Sequence, residues 1–426
     1  MNLFGGIASI SNIYTLLFVI FSVLFFGYAL GRIKVKGVSL GDAGVFVIAL
    51  VFGALFFYVS KSEELLFKFS SKPYDFTTGF SIVEALGLVL FVTSVGFIAG
   101  PKFFGNFKRN FKSYVLLGLV IILAGGLAAV GCIYLGDAIG YGAATDNREG
   151  FVAMIVGLLS GSLTSTPAFS AATETVAGDY RGLVTVGHGI AYIFGVIGVV
   201  LFVQIIPKLT KANMAEERAK IAIKDEKSET KSNVVKKLLH LDAHGLAAFS
   251  LAAILGVVVG NINIVKILNF IPYVNIPGDF KLTTTGGCLL VALVLGHFGR
   301  IGKLNIMPDG HTLKFLRELG LVLFLVGAGI PGGADFVKSF DVMYFVYGVI
   351  MTIVPLIIGY LFAKYVLKLS LLNNLGSITG GMTSTPALGT LIGVAETEDV
   401  AAAYAATYPV ALIAVVLVSQ FLIRLF

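Results

Sequence analysis

Gly161-Ser162-Leu163-Thr164-Ser165-Thr166-Pro167-Ala168 and Gly380-Gly381-Met382-Thr383-Ser384-Thr385-Pro386-Ala387 are two copies of one pattern, each set inside an apolar stretch. A proline there removes an amide donor and ends the helix before it. Proline also favours the first position of a new helix, so each copy predicts a broken segment, with the preceding threonine available to cap the helix that follows. A helix start carries exposed amides and the positive end of its dipole, and it attracts carboxylates.

The surroundings of both copies are those of a membrane protein. Of 426 residues, 57% are apolar and 13% charged, and the mean hydropathy is +0.93. Twelve apolar segments are expected near 12–31, 40–60, 81–99, 113–136, 150–172, 182–206, 244–260, 282–298, 315–331, 341–363, 370–393 and 400–425, most of them long enough to cross about 30 Å of hydrocarbon as helices. Nine Lys/Arg and six Asp/Glu crowd into 207–243 and divide the segments six and six. That stretch reads as a solvated, partly helical tether, with Val234 to Leu241 able to lie on a membrane surface. The first 31 residues carry no charge, so the first segment is expected to be a retained helix with its amino end outside.

The two sets resemble each other in order. Gly27 to Gly31 parallels Gly256 to Gly260, Ala49 to Gly53 parallels Ala292 to Gly296, and Leu86-Gly-Leu-Val-Leu-Phe91 is identical to Leu319-Gly-Leu-Val-Leu-Phe324. The Thr-Ser-Thr-Pro copies lie in the fifth segment of each set. If those segments enter and return on one side, Lys and Arg fall more unevenly between the two faces than if all twelve cross, as the positive-inside rule requires. Each half then crosses five times. The expected fold is an all-α polytopic membrane protein with two inverted-topology repeats of about five transmembrane helices plus one re-entrant or broken helix each. Its parts are a first repeat over 1–206, a cytoplasmic linker over 207–243 and a second repeat over 244–426, in a cell (inner) membrane with both termini outside.

These elements, with Ala-Tyr192 on the sixth segment and Ala-Thr-Tyr408-Pro409 on the twelfth, resemble the aspartate:alanine exchanger family of bacterial carriers, built from a duplicated membrane domain. The resemblance covers most of both halves. It implies exchange of amino acids or dicarboxylates, membership of a broader group with inverted repeats and a moving transport domain (an elevator), and at most a homodimer. Many members carry soluble regulatory domains between the halves, for which 37 residues leave no room. Ile193 stands where a proline is expected after the first tyrosine.

The candidate substrate-binding residues are Thr164, Ser165, Thr166, Pro167, Thr383, Ser384, Thr385 and Pro386, with His188, Tyr192, Tyr404 and Tyr408. His188 and Tyr404 precede the two tyrosines by four residues, one helical turn on the same face. Glu84 and Arg317-Glu318 read as charges at the membrane interface, and Arg181 as a loop charge able to pair with a carboxylate. Cys132 and Cys288 read as packing residues, and the small residues at Gly27/Gly31 and Gly256/Gly260 as close helix contacts.

Gly327-Ala-Gly329-Ile-Pro-Gly332 spells a dinucleotide fingerprint but closes an apolar segment instead of joining a strand to a helix. No Walker A loop or zinc motif occurs, so no enzyme or cofactor is expected, although a coupling ion stays open. The partners expected are a small anionic substrate and the bilayer, not nucleic acid. The expected function is secondary active exchange of small carboxylate-bearing solutes by alternating access. The alternatives are a sodium- or proton-coupled symporter or uniporter for similar anions, and an anion channel or membrane sensor.

Overall fold

With few polar interruptions, the apolar stretches have one way to satisfy their backbone in a bilayer, and they fold as helices. The computed structural model describes residues 2–3, 8–9, 13–35, 38–39, 43–61, 76–105, 111–140, 147–222, 239, 241–263, 265–266, 281–397 and 399–426. The first half of the chain contributes Ile13–Gly31 (α1), Ala43–Lys61 (α2), Phe76–Gly105 (α3), Phe111–Ala138 (α4), Arg148–Ser162 (α5), Thr166–Thr175 (α6) and Arg181–Leu209 (α7). Met214–Ala222 (α8) belongs to the linker. Leu246–Asn261 (α9), Thr283–Phe298 (α10), Gly310–Ser339 (α11), Val342–Leu361 (α12), Leu371–Gly381 (α13), Thr385–Ala395 (α14) and Val400–Leu425 (α15) follow. Six of the helices are long and apolar enough to span a membrane. Phe25 and Leu127 stay about 70% exposed on α1 and α4, which suits a lipid surround. Within 207–243, residues 223–238 and 240 lie outside the described residues, and with them most of the stretch 234–241 read as able to lie on a membrane surface.

The fifth segment of each half is split, as the prolines require. α5 and α7 run side by side in the same direction: a Cβ on Gly157 would lie 2.3 Å from the Val184 carbonyl, and one on Gly161 2.5 Å from that of His188. Between them α6 turns back, so that Thr175 to Ala177 line a space with Glu149 and Val152 at the start of α5. The second half repeats this, with Gly376 against Val400 and Gly380 against Tyr404. Here α8 joins both ends of the hairpin. Glu217 Oε2 accepts from the Leu371 amide at 2.9 Å, and Arg218 donates to the Ala395 carbonyl at 3.0 Å and to Glu396 at 2.7 Å.

Glycine lets the remaining helices cross with backbones in contact. The α1–α2 crossing runs through Gly27, Gly31 and Gly44, and the α9–α10 crossing through Gly256, Gly260 and Gly287. The identical hexapeptides meet each other: Gly87 faces Phe324, Gly320 faces Phe91, and Gly327 faces Glu84. As numbers rise along α3 they fall along α11, so the two helices are antiparallel. Most contacts fall within two bodies, α1, α2, α3, α9, α10 and α11 in one, and α4, α5, α6, α7, α12, α13, α14 and α15 in the other, which meet chiefly where α11 packs on α7. Glycines of the supposed dinucleotide fingerprint sit in such crossings, Gly329 on Ala49 and Gly332 on Thr185. Cys132 and Cys288 are free and buried. Pro409 leaves α15 continuous, and α7 runs unbroken past Ile193.

Candidate functional site

The two hairpins meet tip to tip. Each tip holds a threonine in the left-handed region, Thr164 and Thr383 with φ of 51°, a conformation that costs a β-branched residue about 1–3 kcal/mol. What holds them there is reciprocal. Thr164 Oγ1 donates to the Met382 carbonyl at 2.9 Å, and Thr383 Oγ1 donates to the Leu163 carbonyl at 2.8 Å. Within each tip the next amide reaches back to close the preceding helix, Ser165 to the Ser160 carbonyl and Ser384 to that of Thr379, both at 2.9 Å.

From these tips α6 and α14 start with proline in the first turn. The capping residue is the serine, not the threonine after it as expected. Ser165 Oγ accepts from the Ala168 amide at 3.3 Å. Ser384 occupies the same position without a cap bond, its hydroxyl buried without a protein partner. The shift by one residue frees Thr166 and Thr385 to face a cavity of about 300 Å³ together with Pro167 and Pro386. Thr164 and Thr383 complete that wall.

Tyr192 of α7 and Tyr408 of α15 line the same space. Tyr404 stands behind it, stacked on Tyr408 with centroids 5.0 Å apart and its hydroxyl 3.3 Å from Thr385 Oγ1. His188 does not line the cavity. It is 1% exposed, stacked on Phe169 at 4.3 Å, with Nδ1 2.8 Å from Ser160 Oγ. That hydroxyl gives its one proton to the Gly157 carbonyl, so the imidazole is the donor to it. Ser165 and Ser384 likewise support the tips instead of lining the space.

The opposite wall holds residues that sequence reasoning placed at the membrane interface. Arg317, Glu318 and Leu321 of α11 and Phe91 of α3 complete the cavity. Arg317 and Tyr408 line the same cavity. The signal available in the sequence was alignment of the hexapeptide that follows Arg317 with the one in α3, but the antiparallel crossing that turns it inwards is a tertiary fact. Arg181 and Glu84 are not part of this wall, and Glu174 of α6 accepts from the Thr285 amide at 3.1 Å. Among the described residues no cluster of His, Cys, Asp and Glu is arranged to hold a metal.

Helices enough to cross a bilayer repeatedly, two broken hairpins meeting tip to tip and a cavity at the junction that gathers hydroxyls and an Arg–Glu pair define a multi-pass membrane transporter. The family described as a predicted permease membrane region, that of the aspartate:alanine exchangers, matches residues 19–208 and 248–424, and the chain belongs to it. An uncharacterized transporter of Bacteroides thetaiotaomicron is 26% identical over an alignment of 560 positions, gaps included, that covers 95% of this chain and 97% of the relative. One from Desulfotalea psychrophila is 23% identical over 96% of each. A putative transport protein of Edwardsiella ictaluri is 38% identical across 40% of this chain and 31% of its own length. These names are those of membrane transporters, not enzymes.

Proposed function

We propose that the chain is a secondary carrier exchanging small carboxylate-bearing solutes, amino acids of the aspartate and alanine type or dicarboxylates, by alternating access. The observation that carries this is the pair of proline-led helix starts opening on one cavity opposite Arg317. Two such starts and a guanidinium form an anion site in a space suited to a small solute. Thr166, Thr385, Tyr192 and Tyr408 supply hydroxyls to orient the solute. The antiparallel crossing of repeat-equivalent α3 and α11 supports an inverted duplication: a twofold axis along the membrane normal would leave equivalent helices parallel, whereas an axis in the membrane plane reverses them. On this reading the chain lies in the inner membrane with the linker cytoplasmic and both termini outside, and the body bearing the hairpins moves against the other.

Proteoliposomes decide between exchange and its rivals. Labelled L-aspartate or succinate should enter vesicles loaded with the unlabelled acid and not empty ones. Uptake into empty vesicles driven by sodium or a proton gradient would replace exchange with symport, and unsaturable conductance would replace both with a channel. Exchange of a mono-anion for a neutral amino acid would move one charge per cycle, worth about 2.3 kcal/mol per 100 mV.

A further inference from the structure

Arg317 and Glu318 are the charged residues on the cavity wall. Their ionic groups are 3.8 Å apart, with side chains 37% and 62% exposed, and a loose, wet pair of this kind holds neither partner firmly. The guanidinium therefore keeps donors for a carboxylate, and its planar fork suits one. The wall that carries it belongs to the body of α3 and α11, whereas the tips, Tyr192 and Tyr408 belong to the other. A solute lodged between Arg317 and the tips is held by both bodies at once.

The repeat gives Arg317 a counterpart. Aligning Leu86–Phe91 with Leu319–Phe324 places Glu84 at the position of Arg317. The equivalent positions are in unlike surroundings. Phe91 borders the cavity, while its counterpart Phe324 is packed edge-on against Phe169 at 5.2 Å. Glu84 is not part of the cavity wall; its backbone lies against Gly327. The two halves thus occupy two different arrangements, and a swap of those arrangements would bring the Glu84 wall to the cavity and take the Arg317 wall away.

We infer that Arg317 binds a solute carboxylate in one access state alone, and that Glu84 takes its place at the solute in the other. The inference rests on the carrier reading above. It makes the carrier two-faced: an acid loads tightly on the side where the guanidinium meets it and leaves readily on the side where a carboxylate does. A substrate ammonium group, by contrast, finds its partner on the Glu84 side.

The test compares exchange of labelled L-aspartate and succinate in right-side-out and inverted membrane vesicles, for the wild type and for Arg317→Gln, Arg317→Lys and Glu84→Gln. Arg317→Gln should raise the half-saturating concentration on one face by about 10- to 100-fold, the loss of a charge-assisted pair, and leave the other face within about twofold. Arg317→Lys should recover part of the loss, and Glu84→Gln should alter the opposite face. An equal rise on both faces, or no rise on either, overturns the inference. If Arg317→Gln does not accumulate as folded protein, Arg317→Lys is read for the same one-faced rise, and its absence is equally fatal. A wild type that exchanges neither acid overturns the carrier reading and this inference with it; a wild type that exchanges while the variants respond equally on both faces overturns this inference alone.

Discussion

Thr164 and Thr383 close each other's hairpins, each hydroxyl donating across the junction to the carbonyl just before the other threonine. Neither tip is complete without its partner from the other half of the chain. Both residues hold the same left-handed backbone angle, so removing either hydroxyl leaves a strained turn without the bond that offsets it. Thr164→Val or Thr383→Val should lower stability by about 1–3 kcal/mol, and Thr→Ser at either site by much less. Thermal unfolding in detergent checks both, and a smaller loss for Val than for Ser would refute the role given to the hydroxyl.

Thr166 and Thr385 face the cavity without forming part of the turn. Replacing either by Val, or Pro167 or Pro386 by Ala, should cut exchange about tenfold or more while leaving most folded protein in place. Uptake normalised to the monodisperse protein recovered by gel filtration measures this. Matching losses of transport and of folded protein would assign these residues to packing.

Asp309 caps α11 by accepting from the amides of Thr312 and His311, and those bonds, that of Thr312 first, hold its carboxyl below the ordinary range. Because the folded value is the depressed one, the stabilisation is present above the unfolded value of about 3.9 and fades as pH falls through the folded value. The melting temperature of the wild type should therefore drop more steeply below about pH 4 than that of Asp309→Asn. Parallel acid profiles for the two proteins would show that the cap contributes nothing to the pH dependence.

A Cβ on Gly87 would sit 2.3 Å from the backbone nitrogen of Phe324, where no side chain can yield, whereas one on Gly131 meets nothing within 4 Å. Gly87→Ala should cost about 1–3 kcal/mol or more through forced separation of α3 and α11, and Gly131→Ala should be neutral or slightly stabilising. Expression and melting temperature together test this; tolerance of Gly87→Ala would mean that the crossing is looser than its geometry states.

What the sequence disclosed, and what it withheld, follows the range over which each interaction acts. Proline at 167 and 386 breaks helices locally, so the hairpins were visible in one dimension, as was the pairing of Tyr192 with Tyr408 through repeated spacing. Ser165 and Thr166 are both capping types, and which of them caps depends on where the turn at Thr164 ends. His188 shares a helical face with Tyr192, but one turn of α7 is enough to carry it behind Phe169 and out of the cavity. In the sequence Arg317 reads as an interface charge, because there it only starts an apolar run. The antiparallel contact of Gly87 with Gly320 and Phe324 is what turns the start of that run towards the tips.

One short helix outside the apolar spans braces the second hairpin. With Glu217 fastened to the foot of the inbound arm and Arg218 to the foot of the outbound arm, spreading those feet means breaking a brace that hangs directly from the end of α7. On the carrier reading proposed above, a movement of that hairpin would be felt in the segment joining the halves, and a pull on that segment would be felt at the hairpin.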